Sequence, residues 1–132
     1  MRKVAIFVEG WTEMIFIRNM LFRSFDLNQI SFHCRTLFND SSYNPAPFDY
    51  PNGDASFHYE VINIGNDEKV LSSILRREEF MWNAGFEMII GLRDMYSEAY
   101  RNESMAMDDK VSQAFIKGHQ ASIARAKFPN RI

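Results

Sequence analysis

Apolar and polar positions alternate along the chain in a way that predicts a strand followed by a helix at the start. Residues 3–8 form a nearly continuous apolar run rich in branched side chains, which is typical of a strand buried on both faces. Apolar residues then recur at helical spacing up to Phe25, and Thr12 is expected to cap this helix. The first 25 residues therefore predict strand, short turn and helix.

The rest of the chain continues this alternation. Residues 30–37 and 57–64 predict the second and third strands, and residues 86–92 predict the fourth. Helices are expected from about 70 to 85 and from about 108 to 126. Strands that alternate with helices favour an α/β fold, here a mainly parallel four-stranded sheet flanked by helices on both faces.

Two segments stand outside this regular alternation. No helix follows the strand at 30–37, so we expect it at the edge of the sheet, where it can run antiparallel. The segment 38–56 is rich in proline, asparagine and aspartate, and we expect it to form a long loop. The whole chain, residues 1–132, is expected to be a single domain.

Composition narrows the class of protein. A chain of 132 residues that is 46% hydrophobic can fill an ordinary core, and its single cysteine, Cys34, rules out an internal disulfide framework. The first apolar run is too short for a signal peptide or a membrane span, so we expect a cytoplasmic protein without membrane contact. The 8 methionines and 12 phenylalanines mostly fill the core and leave room for a homodimer contact.

Charge is unevenly distributed. No Asp or Glu follows Asp109, so the part after it carries +5 and the part up to it carries −7, which together give the net charge of −2. A basic end on an acidic body can contact a phosphate backbone, although it can also be a solvated helix face with a tail. The candidate nucleic-acid contacts are Lys110, Lys117, Arg125 and Lys127.

Two acids follow strands of the predicted sheet, Glu9 after the first and Asp94 after the fourth. Because ligands gather at the carboxyl ends of parallel strands, both carboxylates are expected to face one crevice if their strands are neighbours. Paired carboxylates suit Mg²⁺ or Mn²⁺, and one of them can act as an acid or base in phosphoryl transfer. The alternative is that both acids are only turn residues.

The start of the first helix offers a second kind of site. The backbone N–H groups of Thr12 and Glu13 can bind a phosphate, and Gly10 permits a tight turn. The Glu13 side chain is expected to interact with the helix dipole rather than with a ligand. Trp11 can stack a base or cover the helix end, and Arg93 can bind a phosphate or pair with an acid.

The run Val8-Glu9-Gly10-Trp11-Thr12-Glu13 after a buried strand resembles the E-G-x-T-E signature of Toprim domains. These are the catalytic modules of topoisomerases, bacterial primases and overcoming-lysogenization-defect nucleases, and this version is most similar to the small stand-alone relatives of the nuclease branch. In Toprim domains the glutamate is a general acid/base or metal ligand, and a later D-x-D holds Mg²⁺. The resemblance implies a Toprim/Rossmann-like three-layer sandwich in which Glu9 and Asp94 are catalytic and bind the metal.

The chain departs from the Toprim pattern in two places. It reads Asp94-Met95-Tyr96, so the second aspartate is replaced, and Glu98 is near enough in sequence to compensate. The resemblance implies that Glu13 and Tyr96 support the metal ligands without binding the metal themselves. Relatives of this type usually continue into another strand, whereas this chain ends at Ile132, as a short form or as a truncated product.

These observations predict a Mg²⁺-dependent enzyme of phosphoryl transfer on nucleic acid, in particular a nuclease of mobile-element or phage defence. The alternative is a non-catalytic Toprim-like module that binds nucleic acid or a partner protein, which the missing aspartate and the short C-terminus favour. A third interpretation is an unrelated flavodoxin-like domain that binds a small phosphorylated ligand.

Overall fold

A computed structural model gives the structure of the protein for residues 1–37, 43–45, 48–65, 69–93 and 109–132. At positions 43–45, 109, 111, 112 and 115 it describes the backbone alone.

Strands and helices alternate along the described residues, as the sequence predicts. The strands are β1 Arg2–Val8, β2 Ile30–Leu37, β3 Tyr43–Pro45, β4 Phe57–Asn63 and β5 Met88–Gly91. The helices are α1 Trp11–Ser24, α2 Val70–Asn83 and α3 Asp109–Ile123, and a short 3-10 helix spans Pro129–Arg131. The predicted α/β class is confirmed.

The strands form one sheet in the order β3-β2-β4-β1-β5. Four of them, β2, β4, β1 and β5, are parallel to one another, which confirms the predicted four-stranded parallel sheet. The antiparallel edge strand is β3 rather than β2, since β2 pairs in parallel with β4 along most of its length. The alternate residues Ile30, Phe32 and Cys34 of β2 are fully buried, because they lie on the face of the sheet that α1 covers.

Part of the predicted loop at 38–56 lies along the outer side of β2. Besides β3, residue Tyr50 forms an isolated antiparallel bridge with Phe32, in which each backbone N–H donates to the other residue's carbonyl oxygen at 3.1 and 2.8 Å. The backbone N–H of Cys34 donates to Asp49 Oδ1 at 2.7 Å. These contacts satisfy backbone groups of β2 that a bare sheet edge would leave unpaired.

Helices cover both faces of the sheet. Residues Ile6 and Val8 of β1 pack with α1, whereas Ala5 and Phe7 pack with α2, so the continuous apolar run of β1 fills two cores. The buried side chains of α1 are Met14, Ile17 and Leu21, and the buried apolar side chains of α2 are Val70, Ile74 and Met81. No helix in the described part of the chain has the length and apolar character needed to cross a membrane.

Candidate functional site

The carboxyl ends of β1 and β5 lie side by side. The register pairs Phe7 with Gly91, and just beyond the end of β5 the Leu92 N–H donates to the Phe7 carbonyl oxygen at 2.9 Å. Glu9 therefore leaves the sheet beside the strand that leads into Arg93. The predicted condition, that the strand before Glu9 and the strand before the Arg93-Asp94 pair are neighbours, is met.

Three predicted site residues, Asp94, Tyr96 and Glu98, lie outside the described residues. Their roles as metal ligand, supporting residue and compensating acid stay predictions.

The chain leaves β1 and β4 towards opposite faces of the sheet, because α1 packs on one face and α2 on the other. Such a point between neighbouring parallel strands is where α/β sheets open a crevice for a ligand. The strands stay joined at this edge, since Ile64 N–H donates to Val8 O at 3.0 Å. Gly65 follows with a φ of +73°, a conformation that favours glycine, and its N–H donates to Asn63 Oδ1 at 2.9 Å.

The first turn of α1 faces this edge without a side-chain cap. Gly10 occupies the capping position, no side-chain hydrogen bond caps the helix, and the Met14 N–H donates to the Gly10 carbonyl oxygen at 3.2 Å. The predicted cap, Thr12, is the second residue of the helix and is exposed, so that prediction is wrong. The positive end of the helix dipole consequently lies one residue from Glu9.

Gly10 has a different role from the predicted one. Its φ of −159° is an extended conformation that any residue can adopt, so the turn does not need glycine. A Cβ at this position would lie 3.2 Å from Glu13 Oε2, and glycine therefore leaves room for the Glu13 carboxylate. Glu13 lies in the first turn of α1, where a negative charge interacts favourably with the dipole, as predicted.

Trp11 is the first residue of α1, two residues after Glu9. Its ring meets the ring of Phe48 edge-on, with 5.5 Å between the ring centroids, and 46% of Trp11 is exposed. The indole packs against Phe48 and remains about half exposed, and its stacking on a base stays a prediction.

Arg93 contacts α3. Its Nη1 donates to Nε2 of His119 at 2.8 Å. Because a guanidinium group only donates, His119 Nε2 is the acceptor in this contact. This contact joins the end of β5 to α3 beside a pocket of about 430 Å³ that α2, β5 and α3 enclose. No local sequence pattern predicts this pair, since its members are 26 residues apart.

The four candidate nucleic-acid contacts lie on the surface. Lys110 and Lys117 are exposed and seven residues apart on α3, so they share a helix face, and Arg125 and Lys127 are exposed beyond its end. Arg131 also contributes to the basic end but has a structural role. Its guanidinium donates to two backbone carbonyl oxygens just before β5, at 2.9 and 2.7 Å, and lies 4.3 Å from the centre of a tryptophan ring.

No three histidine, cysteine, aspartate or glutamate side chains in the described part of the chain are placed to hold a metal ion. Of the two predicted ligands of Mg²⁺ or Mn²⁺, only Glu9 belongs to that part. The metal stays a prediction.

Sequence reasoning missed a second group of polar side chains, on the α2 face of β2 and β4, which we call the β2–β4 polar cluster. Its members are Ser31, His33, Arg35, His58 and Glu60. Arg35 Nε donates to Glu60 Oε1 at 2.6 Å, and His58 contacts Glu60 Oε2 through Nε2 at 3.3 Å and Ser31 Oγ through Nδ1 at 3.2 Å. The signal was present, because each strand carries polar residues two positions apart on one face.

The buried carboxylate of this cluster is stabilised in its charged form. Burial raises the pKa of Glu60, but the hydrogen bond from His58 and the positive charge of Arg35 together lower it by more than burial raises it. The pKa of Glu60 therefore lies below its ordinary value of 4.5. Glu60 is thus held by its neighbours within the sheet.

Comparison with protein-family models, with curated proteins and with solved structures found no match to this chain.

Proposed function

We propose that the chain is a Toprim-like, metal-dependent enzyme of phosphoryl transfer on nucleic acid, in particular a nuclease. One observation carries the proposal: β1 and β5 are adjacent and parallel, so Glu9 leaves the sheet beside the strand that precedes Asp94. Carboxylates at such an edge suit Mg²⁺ or Mn²⁺. The resemblance of Glu9-Gly10-Trp11-Thr12-Glu13 to the Toprim signature supports the same assignment.

The residues at the carboxyl ends of β1 and β5 have different roles in the proposed reaction. Glu9 and Asp94 hold the metal, or Glu9 acts as the general acid or base. When bound, the metal polarises a phosphoryl oxygen and stabilises the charge that develops on it. The first turn of α1, which has no side-chain cap, donates backbone N–H groups to a phosphate, and Glu13 stays beside Gly10.

The basic side chains of the C-terminal part position the nucleic acid. Lys110 and Lys117 on one face of α3, with Arg125 and Lys127 after it, contact the phosphate backbone without reading its sequence. Arg93 connects the two parts, since it precedes Asp94 and contacts α3 through His119. A cytoplasmic location and a role in mobile-element or phage defence belong to this proposal.

A cleavage assay on single- and double-stranded DNA and RNA, with and without Mg²⁺ or Mn²⁺, tests the proposal. We expect metal-dependent cleavage that falls about 100-fold or more in Glu9→Gln and in Asp94→Asn. Glu87→Gln is the matched control, because it makes the same change just before β5, at the amino ends of the strands and away from the candidate site. This variant should cleave normally. Cleavage that persists in both site variants would refute the proposal.

The second candidate function is a non-catalytic module that binds nucleic acid. Tyr96 stands where Toprim domains have their second aspartate, and the exposed pair Lys110 and Lys117 supplies a basic helix face. This candidate predicts salt-sensitive binding that is indifferent to Mg²⁺. Replacing both lysines by glutamine should reduce the slope of log binding constant against log salt concentration by about 2. Arg2→Gln, at the amino end of β1, should not change this slope.

A further inference from the structure

Helix α1 carries large apolar side chains on its outer face as well as on its inner face. Its inner face packs on the sheet, while its outer face exposes Ile15, Phe16 and Met20, which are 39%, 61% and 41% accessible to solvent. Two more exposed apolar residues, Phe25 and Leu27, follow the end of the helix. Phe16 and Met20 are one helical turn apart and thus adjacent on the helix surface, so this face is suited to an interaction.

The charges of α1 indicate the occupant. Glu13 is the acidic residue of its first turn and Arg23 is the basic residue of its last turn. A second α1 that lies antiparallel to the first brings Glu13 of one copy to Arg23 of the other at both ends of the contact. The two helix dipoles are then also opposed, which is the favourable arrangement.

Two of the apolar residues fit the same register. Phe16 and Met20 are one helical turn apart and centred on position 18, and Glu13 and Arg23 are centred on that position too. A twofold interface brings each surface residue to its counterpart about one axis. A single axis at position 18 therefore pairs Phe16 with Met20 of the second copy and Glu13 with Arg23 of the second copy.

We propose that two copies of the chain pair through the outer faces of α1, antiparallel and about a twofold axis near position 18. This interface does not require the proposed enzymatic function, but it shares one residue with the candidate site, since Glu13 lies in the first turn of α1. A homodimer is compatible with the sequence, and the proposed interface assigns it a defined surface and register. A 14-residue helix is about 21 Å long, so the contact belongs to the small interfaces and the dimer forms reversibly with rising protein concentration.

Sedimentation equilibrium of the full chain over a series of protein concentrations tests the proposal. The wild type should change from monomer to dimer, and Phe16→Asp should weaken association about tenfold or more, because a charge replaces an apolar residue at the centre of the contact. Phe80→Asp is the matched control, since Phe80 is 68% exposed on α2, and it should associate like the wild type.

Charge reversal tests the register. Arg23→Glu alone and Glu13→Arg alone should each weaken the dimer, because each places like charges opposite one another. The double variant should regain much of the lost affinity, and more so at low salt. Thermal melting checks that each variant is folded.

Three results would each overturn the proposal: a wild type that stays monomeric at every concentration, an equal loss of the dimer in Phe16→Asp and Phe80→Asp, or a double charge-reversal variant that is no better than its single variants.

Discussion

The carboxyl edge of the sheet and the β2–β4 polar cluster hold acidic side chains in different ways. In the cluster, Glu60 is buried in the middle of a strand and is paired with Arg35 and His58. At the carboxyl edge, Glu9 and Glu13 are half-buried at a strand end and at an uncapped helix start. The first arrangement fixes a charge for stability, whereas the second places carboxylates where a ligand can reach them.

The largest expected effect comes from breaking the cluster. Glu60→Gln removes the charge that neutralises the partly exposed Arg35, so the free energy of unfolding should fall by about 3 kcal/mol. Glu87→Gln breaks a surface pair with Arg2 and should cost less than about 1 kcal/mol. Urea unfolding measures both, and equal losses would show that the cluster is no more important to stability than a surface pair.

Gly91→Ala tests the carboxyl edge, where backbone position matters more than charge pairing. An added Cβ would lie 2.9 Å from Ile74 Cδ1 and 3.1 Å from Val70 Cγ1, so the end of the Ile74 side chain must rotate away and Val70 must yield by a few tenths of an ångström. We expect a loss of about 1 kcal/mol in the free energy of unfolding. At Gly53 a Cβ meets nothing within 4 Å, and Gly53→Ala should leave thermal stability nearly unchanged. An equally stable Gly91→Ala variant would mean that α2 and β5 are loosely packed.

Acid should remove part of what the cluster contributes. The pKa of Glu60 is lower in the folded protein than its ordinary value of 4.5, so its contribution is fully present above that value and is lost as the pH falls through the folded-state pKa. The difference in unfolding free energy between the wild type and Glu60→Gln should therefore shrink in acid. A difference that grows as the pH falls below 4.5 would contradict the assigned direction.

The smallest effect is expected at the helix start. Thr12 is exposed and does not cap α1, so Thr12→Ala should change the unfolding free energy by less than about 0.5 kcal/mol. A true capping residue would lose about 1 kcal/mol. A loss of that size in chemical denaturation would restore Thr12 as the cap.

The strands and helices could be predicted because each carries its own apolar pattern. The run at 3–8 and the strand at 30–37 both correspond to observed strands. Strand β3 was missed because three residues show no alternation, and the antiparallel edge was consequently assigned to β2.

The candidate site could be predicted only in part. Glu9 could be predicted because it is an acid that directly follows a buried strand. Its position beside β5 could not, because it depends on the strand order, which no local pattern determines. The cap at Gly10 was missed because Thr12 has the more typical capping side chain. The pairing of His58 with Glu60 was missed because nothing local shows that α2 leaves this part of the sheet face to polar side chains.

Calorimetric titration of Mn²⁺ into the wild type, Glu9→Gln and Asp94→Asn tests the central claim most directly, with Glu87→Gln as the control. The account predicts Mn²⁺ binding to the wild type and the control, and its loss in both site variants. Binding that is undiminished in Glu9→Gln and Asp94→Asn, or absent from the wild type, would contradict it.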